Sequence, residues 1–186
     1  MLVLASASPR RQDLLRSAGI SFAVQPADVD ETPLAGERPR DCAERLAREK
    51  ALTVSRSRPQ DLVLGADTIV VVDGAILGKP VDTDEAARML RLLSGRVHQV
   101  ITGVCLVTER GAPRTASETT LVTMSEFSDN EIRDYVATGE PMDKAGAYAI
   151  QGWASRWIPR IEGDYSNVVG LPVALVYRML RDGTKM

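Results

Sequence analysis

Short apolar runs and stretches of helical spacing take turns along the chain, which predicts alternating strands and helices from the first residues onward. Leu2 to Ala5 is a continuous apolar run of strand length. Ser8-Pro9 follows, with Ser8 suited to cap a helix and Pro9 to its first position, where a missing N–H is not needed. Leu14, Leu15 and Ala18 give that helix an apolar face, and Gly19 supplies the left-handed residue that ends it. Pro26 to Pro39 is acidic and broken by Pro and Gly, which predicts a loop. Asp41 to Ser57 returns to helical spacing through Leu46, Ala47, Ala51 and Val54. Leu62 to Ala66 and Thr68 to Val72 predict strands rich in β-branched residues. Asp73-Gly74 marks a hairpin turn, with Ala75 to Leu77 as the return strand. A helix is expected over Asp82 to Ser94, capped by Asp82 or Thr83 and closed by Gly95. Val97 to Thr108 and Ala116 to Thr123 predict long strands. Ser128-x-x-Glu131 has the form of a capping box, so a helix should run to Thr138 and stop at Gly139. Short strands are expected at Tyr148 to Gln151 and Trp157 to Ile161, and a last helix from Pro172. With no repeat, low-complexity tract or linker, residues 1–186 read as one α/β domain with a mixed sheet.

Composition sharpens this in a few places. Apolar residues make up 44% of the chain but aromatics only 4%, so the core must be built mostly from Leu, Val, Ile and Ala. The formal net charge of −2 gives no general attraction to nucleic acid or to an anionic membrane, so any anion binding must be local. Cys42 and Cys105 are far apart and form no CxxC pair, which argues against a disulfide framework and reads both as small core residues. A single histidine, His98, excludes a poly-His zinc site and reads as a structural residue on a strand. The N-terminal apolar run is too short for a signal-peptide core, and no run reaches membrane-spanning length. The expectation is a soluble, cytoplasmic protein.

Several groups of residues then stand out chemically. In Ser6-Ala7-Ser8-Pro9-Arg10-Arg11, two arginines occupy a helix's first turn, the wrong sign for the helix dipole unless an anion sits there. Arginine suits a phosphate because its fork grips two oxygens; a solvated basic turn is the competing reading. Asp67, in Gly65-Ala66-Asp67-Thr68, is a lone carboxylate inside an apolar run. It must be paired, hold a metal, end a strand at a cleft, or cap backbone N–H groups in a turn. Lys79 follows Gly78, whose missing side chain allows a ligand close to the backbone. Lys50 lies on a helix with Arg45, Arg48 and Glu49 and reads by itself as part of a polar face. Gln151, between glycine-bearing turns, offers both a donor and an acceptor to a ligand. Gly170 and Pro172 read equally well as turn punctuation.

Taken in order, SxSPRR at Ser6 to Arg11, GADT at Gly65 to Thr68, GKP at Gly78 to Pro80, HxVxTG at His98 to Gly103, DKAGxYxIQG at Asp143 to Gly152 and GDYxNVVGLP at Gly163 to Pro172 resemble the Maf nucleotide pyrophosphatases across nearly the whole chain. The resemblance implies a mixed, elongated β-sheet flanked by helices with a central cleft, similar to inosine-triphosphate pyrophosphatases. It implies a divalent cation, Mg²⁺ or Mn²⁺, and a homodimer as a frequent state. Carried over by motif, Asp67 matches the family's proton acceptor. Arg10, Thr68 and Gln151 match positions tied to substrate choice, while Ser6, Arg11, Lys50 and Lys79 match the polar cleft. Glu31 matches a family acid and joins Asp67 as a metal ligand. The IQG and GDYxNVVGLP forms are similar to the branch that cuts dTTP and UTP to the monophosphate and pyrophosphate. The alternatives are the sister branch acting on 7-methyl-GTP and a nucleotide-binding cell-division regulator without significant turnover. Departures at Ser125-Glu126 and Trp157 touch no motif residue.

Overall fold

The computed structural model describes residues 1–108 and 113–183. Among the described residues, seven strands form one mixed sheet: β1 (Leu2–Leu4), β2 (Ala23–Val24), β3 (Leu62–Val72), β4 (Ala75–Leu77), β5 (Val97–Val107), β6 (Pro113–Thr123) and β7 (Arg160–Glu162). Their order is β2-β1-β3-β5-β6-β7, with β4 paired to β3. β1 pairs in parallel with β2 and β3, whereas β3–β4 and β6–β7 are antiparallel. The helices are α1 (Pro9–Ser17), α2 (Pro39–Ser55), α3 (Thr83–Leu93), α4 (Asp129–Ala137), α5 (Tyr165–Val169) and α6 (Val173–Gly183). No helix among the described residues is long and apolar enough to cross a membrane.

Local chemistry explains several boundaries. The Ser8 side chain accepts from Arg11 N at the start of α1, and Gly19, at φ 69°, follows its end. Asp73 and Gly74 both take positive φ, 49° and 79°, as a tight hairpin turn requires. Asp82 caps α3 through Glu85 N, and Ser128 with Glu131 closes the capping box of α4.

Four expectations need correction. The strands placed on either side of Asp67 are one 11-residue strand, β3, because the Asp67 side chain finds a partner and the ladder need not break. Tyr148 to Gln151 is not a strand. Gly146 and Ala147 turn into the left-handed region, at φ 70° and 60°, and Gln151 falls in a turn. The strand expected over Trp157 to Ile161 is displaced to β7, after a 3₁₀ turn at Trp153–Trp157. Finally, α2 begins at Pro39, earlier than Asp41, and β2 and the short α5 lack the length to leave a periodic signal.

The chain divides into two compact units. The first comprises Met1–Thr68, Thr102–Glu118 and Gly170–Met186. Here the two-residue period of a strand sorts side chains to opposite faces. Leu2, Leu4 and Leu64 pack with Leu15 of α1 and Val176 of α6, whereas Val3 and Val63 pack with Ala47, Ala51 and Val54 of α2. Cys42 and Cys105 are free and buried. The second unit comprises Ile69–Ile101 and Thr119–Val169. Its core joins Val70 and Val72 to Met89, Leu90 and Leu93 of α3, Ile132 and Tyr135 of α4, and a Phe127–Trp157 stack with centroids 4.3 Å apart.

Candidate active site

Within the first unit, Val63, Gly65 and Asp67 share the face of β3 that meets α2. Glycine at 65 is what lets the helix come down onto the strand. A Cβ there would lie 2.2 Å from the Ala47 carbonyl oxygen and 2.7 Å from Ala51 N, inside any real contact. Gly103 on β5 does the same beneath Ala43, whose carbonyl oxygen would be 2.2 Å from an added Cβ. The approach places Lys50 of α2 over Asp67.

Lys50 Nζ donates to Asp67 Oδ1 at 2.6 Å and meets Glu31 Oε1 at 2.6 Å. The Lys50 and Asp67 side chains are 9% and 10% exposed, so this is a buried ion pair; Glu31, at 45%, reaches in from outside. Removing Lys50 would strand the buried Asp67 charge at a cost of about 3–5 kcal/mol, whereas Lys50 keeps Glu31 if Asp67 is lost. The loop bearing Glu31 is fastened by Arg45. Its fork binds both oxygens of Glu37 at 2.7 and 2.9 Å and donates to the Thr32 carbonyl at 3.2 Å. Chiefly through these bonds, the Glu37 carboxyl is held down at about 2.

Arg11, in the first turn of α1, reaches three separate segments of this unit. Its Nε donates to the Gly170 carbonyl at 2.8 Å, Nη1 to Ser6 Oγ at 3.1 Å and Nη2 to Thr68 Oγ1 at 3.1 Å. Ser6 Oγ also accepts from Ser8 N at 3.2 Å, and Thr68 Oγ1 lies 2.9 Å from Thr102 Oγ1. Burial lowers the Arg11 pKa and the nearby charge of Arg10 adds to the fall, while Asp67 and Glu31 oppose it. Arg11 therefore lies within electrostatic reach of both carboxylates, and its fork already orders the loop after β1, the middle of β3 and the entry to α6.

Seven of the residues singled out by sequence thus belong to the first unit: Ser6, Arg10, Arg11, Glu31, Lys50, Asp67 and Thr68. Lys50 is not part of a solvated polar face, as its helix suggested by itself, because the close approach of α2 to β3 buries it. Lys79 and Gln151 are exposed and belong to the second unit. Their loops are linked there by Gly146 N donating to the Gly78 carbonyl at 3.0 Å. Sequence reasoning overlooked Thr102, Gly103 and Arg45. The first two sit inside the HxVxTG block, and their function shows only once β5 lies beside β3.

Among the described residues, no cluster of three or more His, Cys, Asp or Glu side chains is poised to cage a metal. Asp67 and Glu31 nevertheless converge on a single cationic point, the Lys50 ammonium. Two hard carboxylates of this kind suit Mg²⁺, which usually takes one or two carboxylates and completes its shell with phosphate and water.

A family described as Maf-like protein matches residues 1–183. The dTTP/UTP pyrophosphatase of Koribacter versatilis (strain Ellin345) is 59% identical over 180 residues, spanning 97% of this chain and 93% of that protein. That of Syntrophomonas wolfei is 53% identical over 185 residues, 98% of both chains. A solved HAM1 protein from Coxiella burnetii aligns with 68% of this chain and 73% of its own at a TM-score of 0.45 and 21% identity.

Proposed function

This chain belongs to the Maf family, and from that premise we propose that it hydrolyses dTTP and UTP to dTMP or UMP and pyrophosphate. The observation that carries the chemistry is the buried Lys50–Asp67 pair, joined by Glu31, within electrostatic reach of Arg11. The substrate is supported by the names of relatives that match nearly end to end. We read residues 1–186 as one working domain, as a family match over residues 1–183 favours.

In this reading a water attacks the α-phosphorus. The bond from that phosphorus to the α–β bridging oxygen breaks, and the oxygen leaves with pyrophosphate. Asp67 takes the proton of the attacking water, which requires a carboxylate held in place. Lys50 holds it through Oδ1. Arg10, Arg11, Lys50 and Lys79 offset the charge of the triphosphate, and Ser6 and Thr68 keep the Arg11 fork aimed. Asp67 and Glu31 would hold a divalent cation, Mg²⁺ or Mn²⁺, which when bound supplies further neutralisation of the phosphate oxygens. Gln151 reads the base. Thymine and uracil present a carbonyl beside N3–H, which one amide satisfies with one donated and one accepted bond. Cytosine lacks the N3–H and loses at least one, a difference of roughly 5- to 150-fold.

The test is chromatography of products from dTTP, UTP, CTP, ATP, GTP and 7-methyl-GTP with Mg²⁺ or Mn²⁺. Monophosphate and pyrophosphate from dTTP and UTP are expected. A diphosphate with orthophosphate would reject attack at the α-phosphorus. Preference for 7-methyl-GTP would move the chain to the other branch, and binding without turnover would make it a nucleotide-dependent regulator.

A further inference from the structure

Gln151 sits in an exposed turn, yet the main chain on both sides of it is fastened to one side-chain pair. Tyr135 of α4 is fully buried. Its hydroxyl donates to Glu140 Oε1 at 2.8 Å and accepts from Ala149 N at 3.3 Å, two residues before Gln151. The Glu140 carboxylate accepts from Trp153 N at 3.2 and 3.4 Å, two residues after it. Between these anchors Gly152 N donates to the Ala149 carbonyl at 3.1 Å. Gly152 itself makes room for the carboxylate, since a Cβ there would lie 2.1 Å from Glu140 Oε1. The Trp153 ring lies nearly parallel to that of Tyr135, 19° between planes with centroids 6.5 Å apart, and Arg156 covers it at 4.3 Å.

We propose that the Tyr135–Glu140 pair is a positioning device that fixes the Gln151 turn and thereby sets the selectivity for the base. The proposal rests on Gln151 reading the base. An amide discriminates thymine from cytosine only if its donor and acceptor are held in place, and a displacement of about 1 Å suffices to degrade a positioned contact severely. Neither Tyr135 nor Glu140 need touch the nucleotide. The polar atoms of this pair go to the backbone on either side of the reader. Burial raises the Tyr135 phenol above its ordinary value, so it remains a neutral donor over the working pH range. The same arrangement gives the glycine of the IQG block a physical reason that turn chemistry alone does not.

Steady-state kinetics with dTTP and dCTP on Tyr135→Phe, Gly152→Ala, Glu140→Gln and Gln151→Ala tests this. Tyr135→Phe removes both hydroxyl bonds. Gly152→Ala displaces the Glu140 carboxylate, the free end of a flexible side chain, without emptying the core, so it serves even if Tyr135→Phe folds poorly. Both should lower the dTTP-to-dCTP ratio of kcat/KM by ~10-fold, through a raised KM for dTTP with kcat nearly unchanged. Glu140→Gln keeps an acceptor oxygen for Tyr135 and Trp153 N and should retain the discrimination; its loss in this variant would refute positioning by these bonds. If Gln151→Ala lowers the ratio while Tyr135→Phe and Gly152→Ala leave it intact, the positioning device is refuted and the base reading stands. If Gln151→Ala leaves the ratio intact, the base reading fails and the proposal falls with it.

Discussion

Replacing His98 with Gln should make stability less dependent on pH between about 6.5 and 4. His98 is 1% exposed on β5, where its Nε2 lies 2.7 Å from the Tyr148 hydroxyl. Its Nδ1 meets no hydrogen-bond partner among the described residues. Burial lowers the imidazole from its ordinary 6.5 to about 4. The unfolded chain therefore binds a proton as pH falls below 6.5, while the folded chain resists until about 4. The stability that His98 contributes as a neutral ring is complete above 6.5, drains away as pH falls through this window, and does not fall further below it. At about 1.4 kcal/mol per pH unit the full loss is on the order of 3 kcal/mol, with about 2 kcal/mol of it gone by pH 5. Urea unfolding followed by tryptophan fluorescence reads this directly, because Trp153 and Trp157 share the second unit with His98. His98→Gln has nothing to titrate, so its stability should fall less steeply on acidification, whatever constant offset the substitution adds. Parallel wild-type and variant curves from pH 8 to pH 4 would refute the argument.

Asp67→Asn should retain the fold by circular dichroism and lose at least ~100-fold in turnover of dTTP, the low end for removal of a general base. Near wild-type turnover would remove Asp67 from that role. Arg11→Ala and Lys79→Ala should differ in kind. Arg11 holds three protein groups, each charge-assisted bond being worth roughly 1.5–3 kcal/mol, so its loss should lower Tm as well as raise KM. Lys79 is exposed, so its loss should raise KM with stability changed by no more than ~0.5 kcal/mol. Equal effects of the two on Tm would contradict the bonding described for Arg11.

The elements legible in the sequence were those whose signals are local. The Ser8 cap, the Ser128–Glu131 box and the Asp73-Gly74 turn each bond within a few residues of themselves. The site residues were legible as types in blocks, but their partners were not. Asp67 read as an interruption of the apolar run because the cation that accommodates it, Lys50, comes from another element 17 residues earlier. Tyr148 to Gln151 has strand-like side chains, yet the chain must pass Gly146 beside Val70, where an added Cβ would sit 2.9 Å from a methyl group. Tertiary fit there overrides β propensity. Tyr135 and Glu140 lay outside the blocks altogether, and their purpose appears only when the turn around Gln151 folds back on α4.

The bare backbone at Gly65 and Gly103 has a consequence for how this protein tolerates change. Where a helix rests on a sheet through side chains, every swap of Leu for Val or Ile resets the spacing of whatever the two elements carry. Here main chain lies on main chain at both glycines, so the gap between Lys50 and Asp67 is insulated from drift in the surrounding hydrophobic residues. A lineage can exchange much of its apolar interior, trading stability up or down, while the distance between its two buried charges stays the same.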